Sequence, residues 1–139
     1  MLLFQHPSRA VRRRDLKAFW ADLVAKLTPG QTATCLITTD GRLRSLNLRF
    51  RNKDAATDVL TFPPANGGAG EIAISYDRAA EQAAGLGHTI DQELRILMLH
   101  GLLHLAGMDH ETDGGEMARA ETRWRKRLGL TRGLIERSI

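Results

Sequence analysis

A single cysteine, Cys35, in a chain of 139 residues excludes any disulfide within the chain and suits a reducing compartment. It falls in a threonine-rich, β-branched stretch and reads as a small core residue. Aromatic side chains make up only 5% of the chain, so little is available for stacking nucleic-acid bases. No run approaches the roughly 18 uncharged apolar residues that a membrane crossing needs. The start, Met1 to Pro7, has no basic region ahead of a long apolar segment, so no signal peptide is visible. Repeats, low-complexity tracts and linkers are absent as well. The expectation is one cytoplasmic domain over residues 1–139, free of membrane and large enough to bury a core.

What is present is ordinary in amount and uneven in placement. Hydrophobic residues are 42% and the formal net charge is +4, with an isoelectric point near 9.8. The positive charge gathers at the two ends, in Arg9, Arg12, Arg13, Arg14 and Lys17, and again in Arg123, Arg125, Lys126, Arg127, Arg132 and Arg137. Such an excess favours polyanionic partners. A charge run on a helix is also commonly just a solvated face.

Three of the five histidines lie between Leu97 and His110. His100 and His104 are four apart, which on a helix is roughly 40° around the axis and about 6 Å along it, so both project from one face. Gly107 can end that helix in a left-handed turn and return His110 to the same point. Ile96, Leu97, Met98, Leu99, Leu102, Leu103, Leu105 and Ala106 make the segment apolar all round. Two unpaired imidazoles buried there would cost on the order of 1–3 kcal/mol each. A metal ion removes that cost, whereas a lone core histidine with one satisfied bond would not explain three. Three imidazoles with a fourth position left to water describe a catalytic zinc rather than a structural one. Neutral imidazoles favour Zn2+, with nickel, copper or iron possible in principle. The spacing H-x3-H-x5-H also fits the metzincin proteases, but their general base, a glutamate directly after the first histidine, is replaced by Gly101.

Along the chain, Met1–Gln5 reads as a buried strand, and Pro7 and Ser8 open a helix. Its stripe of Leu16, Phe19, Trp20, Leu23, Val24 and Leu27 has helical spacing and stops at Pro29-Gly30. Thr32–Thr38 reads as a strand. Asp40 is placed to cap a helix with Leu43, Leu46 and Phe50 inward. Arg51 to Asp54 is turn-like, Val59–Phe62 a strand, and residues 65–69 a Gly/Asn loop. Glu71–Ser75 alternates as a strand, with Ile72 and Ile74 on one face. Asp77–Leu86 is helical and ends at Gly87. Thr89 with Gln92, and Asp113 with Glu116, match the capping-box pattern. The first pair starts the histidine helix. The second starts a last helix with Met117, Ala120, Trp124 and Leu128 inward and Gly129 past its end. The fold class is therefore α/β (or α+β): a single domain with a small mixed four-stranded sheet and about five helices.

Two long blocks carry a resemblance. The segment from His100 to His110, His-Gly-Leu-Leu-His-Leu-Ala-Gly-Met-Asp-His, resembles the H-G-x-L-H-L-x-G-x-D-H signature of the YbeY family of bacterial metal-dependent endoribonucleases. Leu46 to Asp54, followed by Thr57 to Pro63, resembles that family's L-N-x-x-[FY]-R-x-x-D-x-x-T-[DN]-V-L-[ST]-F-P segment. Gly70 to Ser75 resembles its next strand. Met108 stands where the family commonly has an aromatic. The resemblance implies a zincin-like central metal helix and one zinc ion held by His100, His104 and His110 plus water. It also implies single-stranded RNA as substrate, maturation of the 3′ end of 16S ribosomal RNA, and ribosome quality control. No further small-molecule cofactor is implied.

Arg51 matches the arginine of the [FY]-R-x-x-D motif, implicated there in activity. It is the candidate catalytic cation, because a guanidinium can hold two phosphate oxygens at once; its bland alternative is a salt bridge to Asp54 or Asp58. Asp109 can orient an imidazole or cap a helix, and Glu111 or Asp113 can serve as general base. His6 and His88 match no motif. A peptidase-like metallohydrolase with its base supplied elsewhere, and a non-catalytic ribosome assembly factor with a structural zinc, remain open beside the nuclease.

Overall fold

The computed structural model describes residues 1–64, 70–130 and 135. The elements run β1 (Leu2–Phe4), α1 (Arg13–Leu27), β2 (Ala33–Thr38), α2 (Asp40–Arg51), β3 (Val59–Phe62), β4 (Gly70–Ser75), α3 (Tyr76–Leu86), α4 (Ile90–Leu105) and α5 (Glu116–Arg127). The expected mixed sheet of four strands with five helices is found among these residues. Its order is β1-β2-β4-β3, the first three mutually parallel and β3 antiparallel to β4. None of the described helices is long and apolar enough to cross a membrane. The expected loop at 65–69, and Arg132 and Arg137, lie outside the described residues.

Alternation along each strand divides the sheet into two unequal faces. Cys35 and Ile37 of β2 and Ile72 and Ile74 of β4 face the main core with Leu2, Leu16, Trp20 and Leu23. Burial in that core pushes the Cys35 thiol far above its ordinary range. The opposite face carries a small cluster of Leu43, Leu60 and Ala73 beneath α2. Pairing of β3 with β4 puts Val59 across from Ile74 and Thr61 across from Ile72, on the main-core side.

The histidine helix α4 lies in the middle of that core and packs on α1, α3, α5, β3 and β4. Its apolar residues Leu94, Ile96, Leu97, Met98, Leu99, Leu102 and Leu103 are all buried, as a helix apolar on every side requires. The Thr89 hydroxyl accepts from Gln92 N–H at 3.1 Å and caps the helix start. The returning half of the expected capping box is not made, since Gln92 Oε1 is without a partner among the described residues. Gly101 packs directly on the sheet. A Cβ there would sit 3.1 Å from Ile72 Cδ1 and 3.4 Å from Val59 Cγ2.

Four expectations about helix ends and faces are corrected. Helix α1 starts at Arg13, with no side-chain cap at Arg12, rather than at Pro7-Ser8. Ser8 is consumed elsewhere: its hydroxyl shares a 2.6 Å hydrogen bond with the Tyr76 hydroxyl and accepts from Ala10 N–H. In α2 the cap is Thr39, not Asp40. Asp40 instead receives the Arg78 guanidinium at 3.0 Å and the Ser75 hydroxyl at 3.2 Å. The inner face of α2 holds Leu43 and Asn47, while Phe50 is 58% exposed. Asn47 sits inside because its amide donates to Ala55 O at 3.0 Å. Phe50 instead lies edge-on to Phe62, their centroids 5.5 Å apart, at the open side of a groove between α2 and the sheet. At α5 the N-cap is Gly115. Asp113 serves the helix start by accepting from Gly115 N–H at 2.8 Å and Met117 N–H at 3.0 Å, without a reciprocal bond from Glu116.

The tight seat of Gly101 sets a testable consequence for stability. Gly101→Leu should lower the free energy of unfolding by about 1–3 kcal/mol or more through overpacking against β3 and β4, read as a reduced denaturant midpoint. An unchanged midpoint would mean that α4 has slack against the sheet.

Candidate metal centre

The last two turns of α4 set out two of the three imidazoles, and the turn after it delivers the third. Gly107 takes φ +96°. Its N–H donates to His104 O at 3.0 Å and the Met108 N–H donates to Leu103 O at 3.2 Å, which is the paired bonding of a Schellman motif. Met108 packs on the main core as the apolar residue such a motif uses, so a side chain other than an aromatic fills that place here. Asp109 then forms the next turn. Its carboxylate accepts from Glu111 N–H at 3.1 Å and its carbonyl from the N–H groups of Thr112 and Asp113. Asp109 thus shapes the bend that carries His110.

The three rings meet edge to face, with centroids 4.9 Å apart for His100 and His104, 5.7 Å for His100 and His110, and 5.8 Å for His104 and His110. One ring nitrogen from each lies within 4.8 Å of the others, a group that could hold a metal ion. His100 is buried, and the other two are half-buried. The His100 Nδ1–H donates to Glu121 Oε2 at 2.7 Å, since a carboxylate can only accept, and this leaves Nε2 as that ring's one uncommitted nitrogen. His104 is held below its ordinary value of 6.5, first by burial and then by the charges of His100 and His110, partly offset by Asp109 and by a hydrogen bond to the Met108 backbone. Buried His110 Nδ1 is without a hydrogen-bond partner among the described residues. An imidazole kept neutral, an orphaned buried nitrogen and a three-nitrogen donor set all fit one divalent ion.

Around the histidines is a cleft of about 370 Å³, lined also by Arg51, Asp58, Val59, Thr61, Asp109 and Glu111. Arg51 is the last residue of α2, which ends as Asn52 adopts the left-handed conformation at φ 55°. The two carboxylates named as its alternative partners are engaged elsewhere. Asp54 pairs with Arg44 at 2.6 Å, and Asp58 receives the Gln82 amide at 3.3 Å. Glu111 reaches the cleft. Asp113 caps α5 instead, and those backbone bonds hold its carboxyl below the usual range.

His6 and His88 lie outside the site. His6 donates to Asp77 at 2.8 Å and stacks on Tyr76, and His88 donates to the fully buried Glu93 at 2.6 Å. Sequence reasoning missed Glu121. It follows Met117 and Ala120 and precedes Trp124 on one helical stripe, so an acid at a core-facing position was the available signal. Gly101 also bears on the peptidase reading. Its Cβ direction points into Ile72 and Val59, so the proteases' glutamate would meet the sheet rather than a metal-bound water.

A model of the family described as Endoribonuclease YbeY matches residues 8–129, a span that contains Arg51, all three histidines and Glu121. The chain belongs to the endoribonuclease YbeY family. A protein named Endoribonuclease YbeY from Solibacter usitatus is 52% identical over 134 residues, 96% of this chain and 91% of the relative. One from Koribacter versatilis is 59% identical over 104 residues, 74% of this chain and 68% of the relative. The solution structure of TM1509 from Thermotoga maritima superposes with a TM-score of 0.66 at 28% identity, covering 93% of this chain and 90% of that one. In this member of the YbeY family the candidate site is built on one helix, the turn after it and the end of α2.

The state of His104 sets the sign of a pH effect. Its folded-state value lies below its ordinary one, so the unfolded chain takes the proton first and acid favours unfolding. The melting temperature of chelator-treated protein should fall as the pH drops from about 7.5 to about 5.5, spanning the ordinary histidine value. His104→Asn should flatten that slope, whereas equal slopes in both proteins would place the effect elsewhere.

Proposed function

We propose that this protein is a metal-dependent endoribonuclease cutting single-stranded RNA. His100, His104 and His110 hold one zinc ion with a fourth position open to solvent, and Arg51 is the catalytic cation. The observation that carries this reading is the convergence of three imidazoles on a cleft that also contains Arg51, in a member of the endoribonuclease YbeY family. Bound there, a zinc ion supplies Lewis-acid charge and lowers the pKa of coordinated water. The rest is the work of the chain's own groups. Arg51 grips two non-bridging phosphate oxygens and offsets the charge that grows on them as the phosphodiester is cleaved. Glu111, in the same cleft, would take the proton from the attacking water as the bond from phosphorus to the leaving ribose oxygen breaks. Burial holds His104 below its ordinary value and so favours the neutral ring that binds a metal.

The RNA is drawn in by the exposed arginines at both ends of the chain, among them Arg12, Arg13 and Arg14 ahead of and in α1 and Arg123 and Arg127 in α5. Binding driven by them weakens as salt rises, through release of counterions from the phosphates. The substrate proposed is ribosomal RNA, in the maturation of the 16S 3′ end and in quality control of the small subunit, in the cytoplasm. This part rests on the motif blocks shared with the YbeY family. The tight contact of Gly101 with the sheet counts against the peptidase alternative.

Wild-type protein, Arg51→Ala and His104→Ala should be compared for metal content and for cleavage of labelled single-stranded RNA. Arg51→Ala is expected to keep its zinc and lose about 100-fold or more in kcat, as loss of a transition-state charge contact does. His104→Ala should remain folded, lose zinc and lose activity. An Arg51→Ala protein as active as wild type would remove the arginine from the mechanism. A His104→Ala protein that unfolds would favour the assembly factor with a structural ion.

A further inference from the structure

Helix α5 carries an acid where the packing asks for an apolar side chain. Glu121 is fully buried, as are Met117 and Ala120 on the same stripe, and it faces α4. Desolvating a carboxylate is expensive unless its oxygens are used, and here both are. Oε2 accepts from His100 Nδ1–H at 2.7 Å, and Oε1 accepts from the backbone N–H of Ile135 at 2.8 Å. All three residues are at least nine-tenths buried: Glu121 is 0% exposed, His100 5% and Ile135 7%. For stability alone this position would be served as well by a methionine or leucine of similar volume. What an apolar residue would not supply is direction. The carboxylate fixes His100 in the tautomer with its proton on Nδ1 and turns the free Nε2 toward the other two rings.

We propose that Glu121 is the positioning residue of the metal centre, and that the Ile135 amide in turn holds Glu121 in place. Ile135 is thereby linked to the three-histidine centre through two hydrogen bonds and one imidazole. The role differs from a general base: Glu121 bonds the Nδ1 edge of His100 and would reach a bound ion only through that ring. The alternative positioning residue named from sequence, Asp109, spends its carboxylate on the Glu111 amide.

The inference rests on the metal reading of the three histidines, and zinc affinity separates the two. Affinity is measured by competition with a chromophoric chelator, on the full chain. Failure of the wild-type protein to bind zinc would sink the metal reading itself. With wild-type binding in hand, Glu121→Gln and Glu121→Met should each weaken zinc binding by about 10–100-fold. The metal-free Glu121→Met protein should melt near wild type, because the buried charge is gone. Nitrogen-15 spectra of the metal-free ring should show His100 with its proton on Nδ1 in wild type and shifted toward the other tautomer in Glu121→Met, a change that mere loss of packing would not produce.

Glu121→Asp keeps the charge but is one methylene short, so it should fall between the two. It also guards against a Glu121→Met protein that does not fold. Ile135→Pro deletes the amide donor and should weaken zinc binding in the wild-type background but add nothing in Glu121→Met, the non-additivity of residues acting in series. Zinc affinity within twofold of wild type in Glu121→Gln, with His100 still protonated on Nδ1, would overturn the proposal. Additive effects of Ile135→Pro and Glu121→Met would remove Ile135 from it.

Discussion

Helix α4 has no solvent face for most of its length, and this constraint organises the molecule. A 16-residue helix carrying Leu94, Ile96, Leu97, Met98, Leu99, Leu102 and Leu103 must be enclosed on every side. The sheet closes one side, and α1, α3 and α5 close the others. The polar groups that such a helix does carry are forced into specific company. His100 meets Glu121, and Glu93 meets His88. Beyond the enclosed stretch the helix is half-exposed in its first turn and again at its C-terminal end, where His104 is half-buried. The site therefore lies where the core's own wrapping stops.

The same enclosure separates this chain from the proteases that share its histidine spacing. Both need two imidazoles one helical turn apart and a glycine to turn the chain. In this fold, however, the position after the first histidine faces β3 and β4 at van der Waals distance. A glycine there belongs to the packing of helix on sheet, and the proton-accepting group of any hydrolysis has to come from another element. Glu111 in the turn after α4 and Arg51 at the end of α2 are among the charged groups that the chain brings to the cleft, beside Asp58 and Asp109.

Most of the architecture was legible because the signals were local and periodic. The α1 stripe, the β-branched strands, the alternation of Ile72 and Ile74, and the glycine after His104 each fix an element with little outside help. Errors arose where a side chain had a distant partner. Asp40 looked like a cap but is taken by Arg78 and Ser75, and Ser8 looked like a helix start but is taken by Tyr76. Phe50 had the right spacing for the inner face of α2, yet an aromatic partner on β3 holds it at the rim of a groove. The three histidines could be read because they fall within eleven residues. Glu121 and Ile135 could not, because the bonds that give them meaning join positions 21 and 14 residues apart in the chain.

The seat of Gly101 has a consequence for how the cleft meets its ligands. With Ile72 and Val59 at contact distance and close-packed side chains behind, α4 has no travel toward the sheet, and the histidine wall is a fixed jaw. The opposite jaw is of another kind: Arg51 is a long, exposed side chain at a frayable helix terminus. Anything entering the cleft meets one wall fixed by packing and one adjustable side chain, so the distance between the three imidazoles and the strand beside them is a dimension of the fold.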